Sequence, residues 1–207
     1  MEFTLAERMN EFEEGIFQIL DQHKNKMLEK GKKIYNLSVG TPDFKPSAAV
    51  MKAVCEAACQ PDNYKYSLYD RSFLTKALQE KYKSRYGVTL SEQEMMTVYG
   101  SQEGIAHIAF AICNPGDQIL VPNPGYPIFS IGPQLAGVDV LPYELLPENH
   151  YLPNLDLIAE SLTPRVKAII ISYPLNPIGR TAPHEFYETL IAWALEHHIL
   201  VIHDNAY

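Results

Sequence analysis

From residue 95 onward, short apolar runs recur at about 95–99, 118–122, 138–142, 167–173 and 199–203. Segments of helical pattern opening near Ser101, Tyr126, Leu155 and Pro183 separate them. Runs this short and this apolar suit strands buried on both faces. Because each parallel connection needs a crossover, regular strand–helix alternation points to a parallel sheet. The expectation is an α/β domain, a mostly parallel sheet flanked by helices.

Upstream the pattern is helical. Thr4-Leu5-Ala6-Glu7 reads as a capping box for one long amphipathic helix carrying Leu5, Met9, Phe12, Ile16 and Met27 at helical spacing, with Gly31 as its stop. This makes an N-terminal helical arm. Residues 34–46 are extended and interrupted by Gly40, Pro42 and Pro46, which suits a functional loop or hinge. Helices at about 47–59 and 72–86 follow, the second ending at Gly87.

Composition excludes several classes of function. The 207 residues are 46% hydrophobic and 20% charged with a formal net charge of −8. No run of Lys or Arg exceeds the pair Lys32-Lys33, so nothing marks a phosphate-backbone footprint and nucleic acid is not an expected partner. No apolar stretch approaches bilayer-spanning length, and the first ten residues do not read as a secretory leader, so a cytoplasmic protein is expected. Cys55, Cys59 and Cys113 form neither an even set nor a Cys-His cluster, so no disulfide framework and no metal site are expected.

Four motifs carry chemistry. Tyr99-Gly100-Ser101-Gln102-Glu103-Gly104 takes a strand into a helix N-terminus, where backbone N–H groups and the helix dipole can hold a phosphate. An ordinary serine cap would look the same. Pro122-Asn123-Pro124-Gly125-Tyr126-Pro127 fixes Tyr126 at a sheet edge, either to stack on a flat ligand or simply to cover a rigid turn. Ser172-Tyr173-Pro174-Leu175-Asn176-Pro177-Ile178-Gly179 presents an amide donor between two prolines. Asp204 closes the last apolar run, with Tyr207 three residues on; a carboxylate there calls for a cationic partner such as a protonated pyridine nitrogen. All these loops leave successive strands at one edge, where open α/β sheets bind ligands.

In this order, together with Ser38-Val39-Gly40-Thr41-Pro42-Asp43-Phe44 and Tyr66, the motifs are similar to the amino-terminal half of fold type I pyridoxal-phosphate aminotransferases of the aspartate and LL-diaminopimelate kind. The likeness runs from about Tyr35 to Tyr207. It implies pyridoxal 5'-phosphate as cofactor, and a homodimer with a shared active site acting in amino acid metabolism. By this resemblance residues 1–46 are an arm belonging partly to a small domain, and 47–207 are the first part of the large, cofactor-binding domain.

The resemblance also assigns roles. Ser101 and the Gln102 backbone would hold the phosphate, with Tyr66 reaching the phosphate of the neighbouring subunit. Tyr126 would stack on the ring, and Asn176 and Tyr207 would hydrogen-bond its phenolic oxygen. Asp204 would keep the ring nitrogen protonated and so sustain the electron sink of catalysis. Gly40 would lie at the substrate carboxylate. Two positions depart from the family pattern: the segment after Tyr66 runs to Arg71-Ser72 without the usual glycine, and Ile178 stands where threonine is usual.

The implied reaction moves an amino group between an amino acid and a 2-oxo acid. In the family the lysine that carries the cofactor lies tens of residues beyond the Asp-x-x-Tyr motif. These 207 residues are therefore expected to be a piece of an enzyme about twice as long, inactive alone. A lyase or decarboxylase on the same fold, or a non-catalytic binding module, are the alternatives.

Overall fold

The computed structural model describes residues 3–12, 15–37, 40, 42 and 44–207. Of the Ser38–Phe44 motif, residues 38, 39, 41 and 43 lie outside the described residues. The chain divides into two compact units, one formed by residues 1–12 and 98–207, the other by residues 13–97.

The second of these is helical. It holds α1 (Ile16–Glu29), α2 (Ala48–Ala58) and α3 (Ser72–Tyr86). Ser47 caps α2 by accepting the Val50 N–H at 3.3 Å, and Gly87 ends α3 in the left-handed region. The Asp70 carboxylate ties the far end of the unit by accepting both the Thr97 N–H, at 3.0 Å, and the Thr97 hydroxyl. Thr75 is its one buried residue among those described.

The sheet unit carries the core. Its elements are α4 (Ser101–Ile112), β1 (Gln118–Asn123), α5 (Ile128–Leu135), β2 (Asp139–Glu144), α6 (Leu155–Glu160), β3 (Val166–Ser172), α7 (His184–Glu196) and β4 (Leu200–Asp204). The four strands are all parallel in the order β2-β1-β3-β4. Ile119, Leu120 and Val121 of β1 and Ala168 to Ile171 of β3 are buried, as central parallel strands covered on both faces must be. Every buried apolar side chain among the described residues falls between Ile105 and Ile199. The α/β class and the parallel sheet flanked by helices are as the sequence led us to expect.

The strand order places a topological switch point. From β1 the chain steps outward to β2, then returns across β1 to place β3 on its other side. The loops after β1 and β3 therefore diverge, leaving a crevice at their carboxyl ends.

Two expectations fail. The single arm helix is broken: residues Glu7–Glu11 form a 3-10 turn, and α1 starts only at Ile16 from Gly15. A glycine inside a helix costs roughly 1 kcal/mol against alanine, and Gly15 takes an extended conformation (φ −62°, ψ 138°). No capping box forms at Thr4, because the 3-10 turn begins after Ala6 without a side-chain cap. The run at 95–99 is not a strand either. Met95 is extended (φ −133°, ψ 143°), but no described strand pairs with this segment, and Met96 and Tyr99 are exposed. Strand propensity alone makes no ladder.

Candidate cofactor-binding site

The cleft is assembled from four loop ends of the sheet unit. Gly100 (φ +95°) turns the chain into α4 in a conformation that L side chains rarely adopt. It occupies the cap position. Ser101 is thus the first helical residue rather than an N-cap, and its hydroxyl makes no capping bond. The leading N–H groups of this twelve-residue helix remain available to an anion. Glu103, in the same turn, accepts the Tyr99 N–H.

After β1, the loop closes so tightly that a Cβ on Gly125 would lie 2.4 Å from the Pro122 carbonyl oxygen. Only glycine fits that approach. The turn delivers Tyr126, whose ring meets Phe129 edge-on at 6.3 Å and whose hydroxyl accepts the Gln102 side-chain amide at 3.2 Å. One side of the ring is thereby fixed to α4 and another to α5.

After β3, the peptide bonds preceding Pro174 and Pro177 are cis, as is the one preceding Pro124. Asn176 leaves this segment and donates its amide to the Tyr207 hydroxyl at 3.3 Å. Asp204 ends β4, partly buried, and forms no ion pair among the described residues. Its neighbour His203 sits on the opposite face of the strand with its ring 5.6 Å from Tyr187. Burial lowers the His203 imidazole below its usual value, against the opposing pulls of the Tyr173 backbone and the Asp204 charge.

Ser101, Gln102, Tyr126, Asn176, Asp204 and Tyr207 all line one cleft of about 150 Å³, together with Phe129, Ser172 and Ala206. It lies at the carboxyl edge of the sheet. Gly40 and Tyr66 belong to the helical unit, where both are exposed; a Cβ at Gly40 would meet nothing within 4 Å. Sequence reasoning gave no role to Ser172 or Phe129. Ser172 was legible as the polar residue ending the apolar run Ala168–Ile171, whereas the role of Phe129 depends on how α5 turns. A larger crevice of about 410 Å³, lined by Leu120, Leu141 and Leu157 among others, has Glu144 as its one charged residue and no comparable set of converging groups.

Chemically, this arrangement can bind an anion at the α4 N-terminus, pack a flat ring against Tyr126, hydrogen-bond a phenolic oxygen and pair a cationic nitrogen with Asp204. Fold and site together define a parallel α/β domain with a polar cleft at its switch point, suited to a flat, phosphate-bearing ligand. Residues 32–207 match the family model described as aminotransferase class I and II, and the chain belongs to that family.

The relatives agree. The chain is 37% identical to the LL-diaminopimelate aminotransferase of Aquifex aeolicus over 207 residues, which is 99% of this chain and 54% of that protein. The enzyme of the same name from Syntrophobacter fumaroxidans is also 37% identical, over 100% of this chain and 54% of its own. Substrate-bound BacF from Bacillus subtilis superposes with a TM-score of 0.86 at 33% identity, over 99% of this chain and 52% of its own. Thermus thermophilus aspartate aminotransferase with maleate gives 0.90 at 26% identity, over 100% of this chain and 54% of its own. The chain thus spans about half the length of the curated relatives it matches. The class I and II aminotransferases are pyridoxal-phosphate-dependent enzymes.

Proposed function

We propose that this chain contributes the cofactor-holding half of a pyridoxal-phosphate-dependent aminotransferase that moves an amino group between an amino acid and a 2-oxo acid. The observation that carries this reading is the convergence of Ser101, Gln102, Tyr126, Asn176, Asp204 and Tyr207 on one cleft. The donor set suits the cofactor group by group. Ser101 and the Gln102 N–H face the phosphate, and Tyr126 lies along the ring. The Asn176–Tyr207 pair serves the phenolic oxygen, and Asp204, lacking any other ion-pair partner among the described residues, serves the ring nitrogen. When bound, pyridoxal phosphate supplies an electron-withdrawing ring conjugated to the substrate's α-carbon.

The protein's own part is electrostatic and geometric. Asp204 keeps a proton on the ring nitrogen, because a carboxylate at hydrogen-bond distance favours the charged form of its partner. Tyr126, tied by Gln102 and Phe129, fixes the ring plane. Asn176 holds the Tyr207 hydroxyl and so directs where its proton points. Catalytic roles fall to Asp204 and Tyr207, a phosphate contact in a neighbouring subunit to Tyr66, and a substrate-carboxylate contact to Gly40. The same reading takes the protein as a homodimer in the cytoplasm, with residues 1–46 as an arm and 47–207 as the start of the large domain. It is consistent with this that no helix among the described residues is long and apolar enough to cross a membrane.

The test is a product balance with the full-length enzyme to which this chain contributes, pyridoxal phosphate, one amino acid and one 2-oxo acid. Equal appearance of the new amino acid and the new oxo acid is the expected result. Release of ammonia or carbon dioxide from the amino acid alone would assign the fold to lyase or decarboxylase chemistry, and cofactor binding without turnover would leave a binding module.

A further inference from the structure

The floor of the cleft holds a polar group that none of these contacts uses. Ser172 ends β3 and is 4% exposed, yet it lines the cleft. Its hydroxyl makes no hydrogen bond to another described residue and opens onto the cleft. In the β3–β4 ladder Ser172 pairs with Asp204, so the two side chains leave the sheet on the same face. Neighbouring strands stand roughly 4.8 Å apart, a spacing that one serine rotamer spans to reach a carboxylate. The other polar neighbours are differently placed: Asn176 donates to Tyr207, and His203 points to the opposite face of β4.

We propose that Ser172 is a positioning residue for Asp204. An ionised carboxylate offers about four acceptor sites on two oxygens. With a protonated ring nitrogen on one oxygen, the Ser172 Oγ–H donates to the other and fixes the plane of the carboxylate. The same bond stabilises the ionised form of Asp204, which is the form that keeps the nitrogen protonated. This rests on the pyridoxal-phosphate reading of the cleft.

The experiment compares the wild type with Ser172→Ala, Ser172→Thr, Asp204→Ala and the double variant Ser172→Ala/Asp204→Ala. Pyridoxamine phosphate is the probe, since it cannot form an imine with surface lysines. Its dissociation constant is read by fluorescence titration. Ser172→Ala weakens binding roughly tenfold in the wild-type background and little in the Asp204→Ala background, while Ser172→Thr restores it. Equal losses in the two backgrounds, or a Ser172→Thr variant that binds as weakly as Ser172→Ala, overturn the proposal while leaving the cofactor reading intact. A wild type that binds no pyridoxamine phosphate overturns both.

Discussion

Replacing Gly132 by alanine tests how closely the two helices beside the cleft are packed. A Cβ at this position would lie 3.0 Å from the Ala106 Cα and 3.4 Å from both the Ala106 nitrogen and the Ile105 carbonyl oxygen. Carbon atoms prefer separations of about 3.5–4.0 Å, so α4 and α5 must part by roughly 0.5 Å. Overpacking of this kind costs about 1–3 kcal/mol. Pro133 follows directly and disfavours the helical conformation of a non-glycine residue before it. Against this, alanine gains roughly 1 kcal/mol of helix propensity over glycine. The net is a destabilisation of about 1 kcal/mol for Gly132→Ala and ~3 kcal/mol or more for Gly132→Val, which forces further methyl groups into the same gap. Urea unfolding of the three proteins, compared at a constant dependence on denaturant, measures both differences. Because α4 begins at Ser101 and α5 follows Tyr126, the same separation should lengthen the 3.2 Å Gln102–Tyr126 bond and weaken cofactor binding. An alanine variant more stable than the wild type by ~1 kcal/mol, the propensity gain alone, would refute the claim of close packing.

Asp204→Asn removes the charge opposite the ring nitrogen and should weaken pyridoxamine phosphate by about ten- to a hundredfold, from a charge-assisted bond of roughly 1.5–3 kcal/mol; calorimetric titration reads the change. Tyr143 is buried, and its hydroxyl donates to the Ile170 carbonyl at 2.7 Å. Tyr143→Phe should therefore cost about 1 kcal/mol in denaturant unfolding near neutral pH. Burial raises the Tyr143 phenol well above its ordinary value of 10.0, so its contribution is complete below pH 10 and is lost as pH rises through the folded-state value. The phenylalanine variant should lose stability less steeply in that alkaline window. His203, lowered chiefly by burial, acts at the other end: its contribution is present above the unfolded value of 6.5 and is lost as pH falls through the lower folded value. His203→Gln should flatten acid unfolding in that window, and an unchanged profile would show that the imidazole titrates as freely folded as unfolded.

Much of this was legible in the sequence because the strong signals are local. The runs Gln118–Pro122 and Val166–Ile171 are apolar enough to be recognised as buried strands without knowing their partners. The turn residues around Tyr126 and Asn176 announce their loops by proline and glycine. What escaped depends on contacts distant in sequence. Met95–Tyr99 has strand-like residues, but a strand exists only with a partner beside it. Leu5 to Met27 has helical spacing throughout, yet spacing does not register the cost of Gly15 when the apolar face is not buried; Ile16 and Phe17 remain exposed. Ser172 stands out locally as the polar end of an apolar run, but its place beside Asp204 comes from a register that the order of strands determines and no local pattern encodes.

The central claim is that the cleft at the carboxyl ends of β1, β3 and β4 holds pyridoxal phosphate. A crystal structure with bound pyridoxamine phosphate tests it most directly. The phosphate should accept the N–H groups at Ser101 and Gln102, the ring should lie along Tyr126, and the ring nitrogen should face Asp204. A ligand seated in the larger crevice beside Leu141 and Leu157, or a ring nitrogen turned away from Asp204, would contradict the account.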